Sequence, residues 1–309
     1  VLVMQSGHIT HMGAYGSARL KGEVKADTKT NYRLASLSKQ FTATAALLLV
    51  KQGKLSLDTK LTEIFSDFPQ YGREITLKHL LSHQSGLRDY EGLIPGGQTQ
   101  QVLDADVLQM MKRQTSGYFQ PGSQYKYSNS GYCVLGEIVT KVSGESYAEF
   151  AKKNIFEPLG MFRTVLYEKG ISQVHDRAYG HSPSGGGFSE TDQSVTSATL
   201  GDGGVYTSVE DWIQWERGLE KADSLGEEMQ KLVFTPAVLN NGSKTSYGFG
   251  WMLDTFRGYT RHHHTGSTIG FRTAVQRLPQ KENLTVVVLV NRANASPWSI
   301  AERILDLYL

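Results

Sequence analysis

The sequence predicts an α+β fold, with an antiparallel sheet built from both ends of the chain and flanked by helices. Three observations predict it. Residues 1–15 alternate between apolar and polar side chains, which is typical of strands. Residues 246–290 repeat short runs of that kind, separated by turn residues. Residues 56–245 carry mostly helical patterns, so we expect a largely helical segment inserted between the two halves of the sheet.

At the N-terminal end, residues 1–5 and 8–15 are predicted to form two consecutive strands. The apolar run "TATAALLLV" then predicts a helix from Ser36 to Gln52, which Gly53 ends. Both elements belong to the same expected unit, because a helix that is apolar on several sides needs a sheet or other helices to cover it.

In the middle of the chain, shorter helices are expected to begin at residues whose side chains accept hydrogen bonds from backbone N–H groups. These expected caps are Thr76, Asp104 or Asp106, Ser146 and Ser208. Ser146 and Glu149 also have the spacing of a capping box. Residues 181–190, "HSPSGGGFSE", are predicted to form a mobile Gly/Ser-rich loop.

The C-terminal part predicts consecutive strands in "SYGFGWMLD", "YTRHHHT", "FRTAVQRLP" and "LTVVVLVNR". A last helix is expected to have Ser296 as its cap and Pro297 at its first position. We therefore expect residues 1–55 and 246–309 to form one sheet-containing domain. Residues 56–245 form the inserted, mostly helical domain in this prediction, with the active site in the cleft between the two.

Composition excludes several function classes. With 309 residues, 39 % of them hydrophobic and 20 % charged, the chain has the make-up of a folded soluble protein. A net charge of +2, with scattered basic residues, does not suggest a nucleic-acid partner. The longest apolar run, Ala45–Val50, is too short to predict a membrane span. A single cysteine, Cys133, allows no intrachain disulfide and is expected to be buried.

The stretch "ASLSKQF" places Ser36 and Lys39 three residues apart, on one face of the predicted helix. A serine hydroxyl is a poor nucleophile unless a neighbour takes its proton, and a lysine can help if its surroundings are suitable. The pattern alone is weak, because serine is also a common helix cap. A second copy, Ser123 with Lys126, follows a Pro-Gly turn and leads into no apolar helix, so we interpret it as accidental.

The stretch "YSN" contributes Tyr127 and Asn129. A free tyrosine has a pKa of about 10, but an adjacent ammonium in a dry site makes its phenolate accessible. Asn129 could orient the lysine and also hydrogen-bond a substrate amide, because its side chain both donates and accepts. The alternative is a structural one, in which Asn129 caps the next helix.

The third motif is His264, Thr265, Gly266 and Ser267, at the end of a predicted strand. A glycine there would let a ligand approach the strand closely. Adjacent strand residues point to opposite faces, so three histidines in a row, residues 262–264, cannot converge on one metal ion. We therefore expect no metal, and one histidine in the cleft.

Taken in order, Ser-x-x-Lys, Tyr-x-Asn and His-Thr-Gly make the chain resemble the serine beta-lactamase and penicillin-binding protein superfamily. The closest likeness is to class C beta-lactamases and their D-alanyl-D-alanine carboxypeptidase and esterase relatives. Segments such as "HLLSHQSGL", "GDGGVYTSVEDW", "YGFGW" and "HTGSTIGF" extend the resemblance from about residue 5 to 305.

The resemblance implies a serine hydrolase that cleaves an amide or ester through an acyl-enzyme on Ser36. Tyr127, assisted by Lys39, would take the serine proton and pass it to the leaving group. The backbone N–H groups of Ser36 and Ser267 would form the oxyanion hole. Asn129 and the strand after His264 would hold the substrate, and no cofactor is implied.

Class C beta-lactamases usually have lysine where this chain has His264, and a histidine is a weaker fixed positive charge. We therefore favour a peptidase or esterase over a beta-lactamase. The expected substrate is a small molecule or peptide: a D-amino-acid peptide, an ester or a beta-lactam. A true class C-like beta-lactamase and a catalytically silent penicillin-recognising module remain alternatives. If the charge of His264 matters, kcat/KM should change near its usual pKa of about 6.5. The resemblance also implies an extracytoplasmic location, with a cytoplasmic one still open, and leaves the oligomeric state open.

Overall fold

The computed structural model describes residues 1–309 and contains thirteen strands and ten α-helices. The strands are β1 Leu2–Gln5, β2 His8–Met12, β3 Ser17–Arg19, β4 Val24–Lys25, β5 Tyr32–Arg33, β6 Val165–Leu166, β7 His181–Ser184, β8 Gly187–Glu190, β9 Val205–Thr207, β10 Met252–Phe256, β11 Tyr259–Thr268, β12 Phe271–Leu278 and β13 Leu284–Val290. The helices are α1 Lys39–Lys51, α2 Leu61–Ile64, α3 Leu77–Leu81, α4 Asp104–Lys112, α5 Asn129–Ser143, α6 Tyr147–Ala151, α7 Glu157–Leu159, α8 Val209–Lys221, α9 Glu227–Val233 and α10 Pro297–Leu305.

The main sheet joins the two ends of the chain. Its six strands lie in the order β10-β11-β12-β13-β1-β2, and every neighbouring pair is antiparallel. The junction is the pair β1–β13, where Leu2 lies opposite Val287. The predicted α+β fold with a sheet from both chain ends is therefore confirmed.

Both faces of this sheet are covered by helices. Leu284, Val286 and Val288 point to the face on which α10 packs through Ala301 and Leu305. On the other face, Val287 and Leu289 join the large cluster that also contains most of α1. Because side chains alternate along a strand, a strand that is apolar at every position but one, Thr285 in β13, fits between two helical layers. Each fully buried Leu or Val contributes ~1.5–3 kcal/mol relative to an exposed one.

The helices begin close to the predicted positions, for the expected reasons. Thr76, Ser146 and Ser208 accept hydrogen bonds from backbone N–H groups three residues later, at 3.3, 3.2 and 3.2 Å. Asp104 is instead the first residue of α4, and Asp106 reaches back to the N–H of Leu103 at 2.9 Å. Pro297 opens α10, but Ser296 makes no side-chain capping bond.

Two predicted boundaries differ from the structure. The helix expected from Ser36 begins as a 3-10 turn, Ala35–Ser38, and becomes α-helical only at Lys39. Residues 181–190 form the hairpin β7–β8 rather than a mobile loop. Gly185 and Gly186 at its tip both have positive φ, +55° and +81°, and two such residues make a tight hairpin turn.

The inserted region is largely helical, as expected, but it also contributes strands. Val205–Thr207 pairs with β5 and β6 in a small three-stranded sheet next to the serine segment. The division into residues 1–55 with 246–309, and 56–245, stays a prediction. None of the helices combines the length and the apolarity that crossing a bilayer would need.

Candidate active site

Ser36 lies in a tight backbone turn between β5 and α1. The residue before it, Ala35, has a φ of +51°, which is uncommon for a residue with a Cβ atom. The turn is held from the sheet, because the Thr273 hydroxyl donates to the Leu34 carbonyl at 2.8 Å. Unfavourable backbone conformations of this kind cost ~1–3 kcal/mol and persist where the surroundings impose them.

Gly266 allows β11 to lie against this turn. A Cβ atom at residue 266 would come within 2.1 Å of the Leu34 carbonyl oxygen and 2.2 Å of the Thr273 hydroxyl. The two atoms are hydrogen-bonded to each other, so displacing either one would disturb the bond that holds the turn. The glycine of the third motif therefore serves the approach of β11 to the serine segment.

Lys39 is completely buried and its ammonium is hydrogen-bonded to three acceptors. It donates to the Ser36 hydroxyl at 3.2 Å, to Asn129 Oδ1 at 2.8 Å and to the Asp202 carbonyl at 2.8 Å. A buried charge without partners would cost several kcal/mol, so these acceptors make the buried ammonium possible. They also fix Nζ beside Ser36.

The loop that supplies the Asp202 carbonyl is itself anchored by a buried carboxyl. Asp104 Oδ2 accepts hydrogen bonds from the N–H groups of Leu200 and Gly201, both at 3.0 Å. Burial raises the pKa of Asp104 to about 8. This support could not be predicted from the sequence, because Asp104 and the N–H groups that it accepts are 96 and 97 positions apart.

Tyr127 lies next to Lys39. Lys39 Nζ is 5.0 Å from the centre of the Tyr127 ring, and the tyrosine hydroxyl is buried with no protein hydrogen-bond partner. The first residue of α5 is Asn129, and Ser128, not Asn129, caps that helix by accepting the Gly131 N–H at 3.1 Å. The structure therefore brings Ser36, Lys39, Tyr127 and Asn129 into one cluster.

His264 differs from the expectation. Its side chain is buried, and burial together with the Lys39 ammonium lowers its pKa to about 3. Nδ1 lies 2.7 Å from the Thr265 carbonyl and must donate to it, so Nε2 accepts from the Tyr247 hydroxyl at 3.2 Å. His264 is therefore neutral, and we no longer expect it to change kcat/KM near pH 6.5.

The other two histidines of the run point elsewhere. The ring of His262 stacks on Phe234 with 4.3 Å between centroids, and His263 packs on Trp298 at 4.9 Å. The three rings thus have separate neighbours, as the alternation of a strand predicts.

A cavity of about 80 Å³ opens at Ser36, with Asn129 and Ser267 also in its wall. Lys39 is buried and Tyr127 is half-buried with a buried hydroxyl, and neither lines the cavity. His264 and Thr265 do not line it either. Glu91, which the sequence analysis missed, does line it and is exposed. The Asn129 side chain donates from Nδ2 to Glu91 Oε1 at 2.6 Å and accepts from Lys39 through Oδ1, so it links the carboxylate to the buried ammonium.

A family model described as Beta-lactamase matches residues 1–308. The chain belongs to the beta-lactamase family. The resemblance read from the motifs, and the serine-hydrolase class with it, are thereby confirmed.

Named relatives within this family include a penicillin-binding protein and D-aminopeptidases. Penicillin-binding protein 4* of Bacillus subtilis (strain 168) is 33 % identical, over 97 % of this chain and 69 % of its own length. A D-aminopeptidase of Cereibacter sphaeroides (strain ATCC 17023) is 30 % identical over 98 % of this chain, which spans only 58 % of that protein. A penicillin-binding protein structure from Bacillus halodurans superposes with a TM-score of 0.86 at 25 % identity, covering 99 % of this chain and 95 % of that one.

Proposed function

We propose that this protein hydrolyses small amides or esters through an acyl-enzyme on Ser36, and that it prefers an acyl group with a free amino group, as in an N-terminal D-amino acid. The observation that carries the proposal is the contact between the Ser36 hydroxyl and the buried Lys39 ammonium, 3.2 Å apart, at the floor of an open cavity. A half-exposed nucleophile beside a desolvated, fully hydrogen-bonded cation is suited to acyl transfer.

In the proposed reaction, Ser36 Oγ attacks the substrate carbonyl carbon while its proton passes to Tyr127. The backbone N–H groups of Ser36 and Ser267, both at the cavity, stabilise the oxyanion. The tetrahedral intermediate collapses, the bond to the leaving group breaks, and Tyr127 gives the proton to the departing amine or alcohol. Water then attacks the ester on Ser36 by the same route in reverse, and the acid is released with Ser36 restored.

The charge at the cavity favours a cationic substrate group. Glu91 is the exposed charged residue in its wall, whereas the Arg33 guanidinium is buried and donates to the Gly203 and Ser197 carbonyls. His264 adds no positive charge because its pKa is lowered to about 3. An ammonium next to the scissile carbonyl would therefore find a carboxylate, while a substrate carboxylate would not find a fixed cation. The D-aminopeptidase relatives support this choice over a true beta-lactamase.

A substrate panel tests the proposal. D-alanine p-nitroanilide should be cleaved faster than its N-acetyl derivative and faster than nitrocefin, with p-nitrophenyl acetate as the ester probe. Ser36→Ala should lose covalent labelling by a fluorophosphonate and nearly all activity, while Ser123→Ala keeps both. Labelling that persists in Ser36→Ala would contradict the nucleophile, and single-turnover acylation without release would favour the silent module.

Glu91→Gln tests the preference separately. Glutamine keeps the acceptor for Asn129 but not the charge, so kcat/KM for D-alanine p-nitroanilide should fall about tenfold, equivalent to ~1.4 kcal/mol. The value for p-nitrophenyl acetate should not change. An equal loss for both substrates would mean that Glu91 only supports Asn129. The extracytoplasmic location stays a prediction that this experiment does not address.

A further inference from the structure

His83 is a buried histidine that belongs to none of the three predicted catalytic motifs. It follows α3 in the stretch "HLLSHQSGL", is 1 % exposed and has a φ of +58°. A residue with a bulky side chain rarely adopts such a φ without a local reason. The reason is found in what its backbone and its ring contact.

His83 accepts hydrogen bonds from the residues immediately before and after Tyr127. The His83 carbonyl accepts the N–H of Lys126 at 3.0 Å, and the ring nitrogen Nδ1 accepts the N–H of Ser128 at 3.1 Å. The segment is thus held immediately before and immediately after the tyrosine. The next residue of the same loop continues the pairing, since the Gln84 carbonyl accepts the Gly122 N–H at 2.9 Å.

The ring of His83 also packs directly on Tyr127. Their centroids are 4.3 Å apart, and the imidazole also packs against Tyr247 at 4.5 Å and Tyr132 at 4.9 Å. Because Nδ1 accepts a hydrogen bond, the ring proton lies on Nε2 and the imidazole is neutral. Burial and the nearby Lys39 ammonium lower the pKa of His83 well below its usual value, which preserves the acceptor.

We infer that His83 is a positioning residue that fixes the Tyr127 hydroxyl relative to Ser36 and Lys39. It accepts the backbone N–H groups on both sides of the tyrosine, that of Lys126 through its carbonyl and that of Ser128 through its ring. The inference rests on the proposed function, in which Tyr127 carries the proton. The Ser128 bond has a second effect, because Ser128 caps α5 and Asn129, the next residue, holds Lys39. Misplacing a catalytic group by about 1 Å can reduce the rate ~10²-fold.

The matched variants His83→Leu and His83→Asn test the inference. Leucine and asparagine have the same shape, but only asparagine offers an oxygen near the position of Nδ1, and it tolerates a positive φ. We expect His83→Leu to lower kcat for D-alanine p-nitroanilide ~100-fold, with KM changed less than about threefold. His83→Asn should keep kcat within about fivefold of the unchanged protein, because it restores the acceptor.

His79→Leu is the control. His79 lies four residues earlier, and its Nδ1 also accepts a backbone N–H, that of Thr76 at 3.2 Å. This bond completes the capping box at the start of α3, away from Tyr127. The variant should lower Tm and leave kcat within about twofold, because a lost cap affects stability alone. Each rate is measured per folded molecule, well below the Tm of the variant.

A folded His83→Leu that retains kcat, or a folded His83→Asn that loses as much as His83→Leu, would overturn the inference. If His83→Leu does not fold, His83→Asn decides alone: retained kcat supports the bracket and a ~100-fold loss refutes it. Failure of the proposed function is distinguishable, because it would appear as fluorophosphonate labelling of Ser36→Ala, whatever residue 83 is.

Discussion

Ser36 with Lys39, and Ser123 with Lys126, are the same four-residue pattern in two different surroundings. Lys39 is completely buried, and its ammonium donates to three acceptors within 3.2 Å. Lys126 is exposed, and its ammonium lies 3.6 Å from Asp89. The hydroxyl of Ser123 donates to the Gln120 carbonyl at 2.7 Å and so closes its own turn.

The difference shows what the pattern needs in order to carry chemistry. An exposed lysine shares its charge with water, so its contribution to a neighbouring hydroxyl is small. The electrostatic interaction of a buried lysine with a neighbouring hydroxyl is much less screened, because little water surrounds it. Ser36 and Lys39 form a candidate active site because they lie against β11, the Asp202 loop and α5. Ser123 and Lys126 lie in a surface turn and have no such surroundings.

The largest expected effect comes from removing each ammonium in turn. Lys39→Met should reduce kcat/KM at least ~10³-fold, because the serine loses its charged partner and Asn129 and Asp202 lose their donor. Lys126→Met should stay within about twofold, since it removes an exposed ion pair with Asp89 and a surface contact with the Tyr118 ring, both away from the site. The test is to measure kcat/KM for D-alanine p-nitroanilide, and the Tm, of both variants.

Comparable losses in the two methionine variants would break the contrast between the copies. A folded Lys39→Met with normal activity would remove Lys39 from the mechanism, whatever its contacts.

A smaller effect is expected from disturbing the contact that seals the first copy. Gly266→Ala would place a Cβ 2.1 Å from the Leu34 carbonyl, so the strand or the turn must move. We expect ~1–3 kcal/mol of lost stability, the usual cost of overpacking, and slower acylation of Ser36. Gly187→Ala, where the nearest atom is 3.8 Å away, is the control, and denaturant unfolding compares them. Equal stability of the two variants would mean that β11 does not need this close approach.

The smallest effect on activity, and an effect mainly on stability, is expected from the Asp104 carboxyl that anchors the Asp202 loop. Burial raises the pKa of Asp104 from 3.8 to about 8, so the folded state binds its proton more tightly than the unfolded chain does. This contribution to stability is complete below the lower value and is lost as pH rises toward the upper one. The free energy of unfolding should therefore fall as pH rises from about 4 to about 8, by a few kcal/mol.

Asp104→Asn keeps an acceptor for Leu200 and Gly201 without an ionisable group, so its urea midpoint should change less over the same pH range. Parallel curves for the two proteins would show that Asp104 does not titrate there.

Much of this architecture could be predicted because its signals are local. Alternation predicted β1 and β2, the run "LTVVVLVNR" predicted the strand β13, and Thr76, Ser146 and Ser208 marked helix starts. The prediction of a mobile loop at 181–190 is wrong, because a glycine-rich segment can form either a flexible loop or a tight turn. Two consecutive residues with positive φ are instead what a tight hairpin turn requires.

The site divides in the same way. Ser36, Lys39, Tyr127 and Asn129 could be named because a family pattern connects positions that are distant along the chain. Glu91 and the role of His83 could not be predicted. A glutamate in a loop carries no local signal, and "HLLSHQSGL" marks His83 as part of a family-like segment without showing that the fold brings it to Tyr127. The neutrality of His264 was also beyond the sequence, because its pKa depends on burial.

The single thiol of the chain has a practical consequence. Cys133 lies in α5, one turn after Asn129, is completely buried, and burial raises its pKa well above the usual value. An alkylating reagent can reach it only when the structure around α5 opens, because thiolate formation and access are both blocked in the closed protein. The rate of alkylation in native buffer would thus report how often α5, which begins with Asn129, becomes exposed, without any introduced probe.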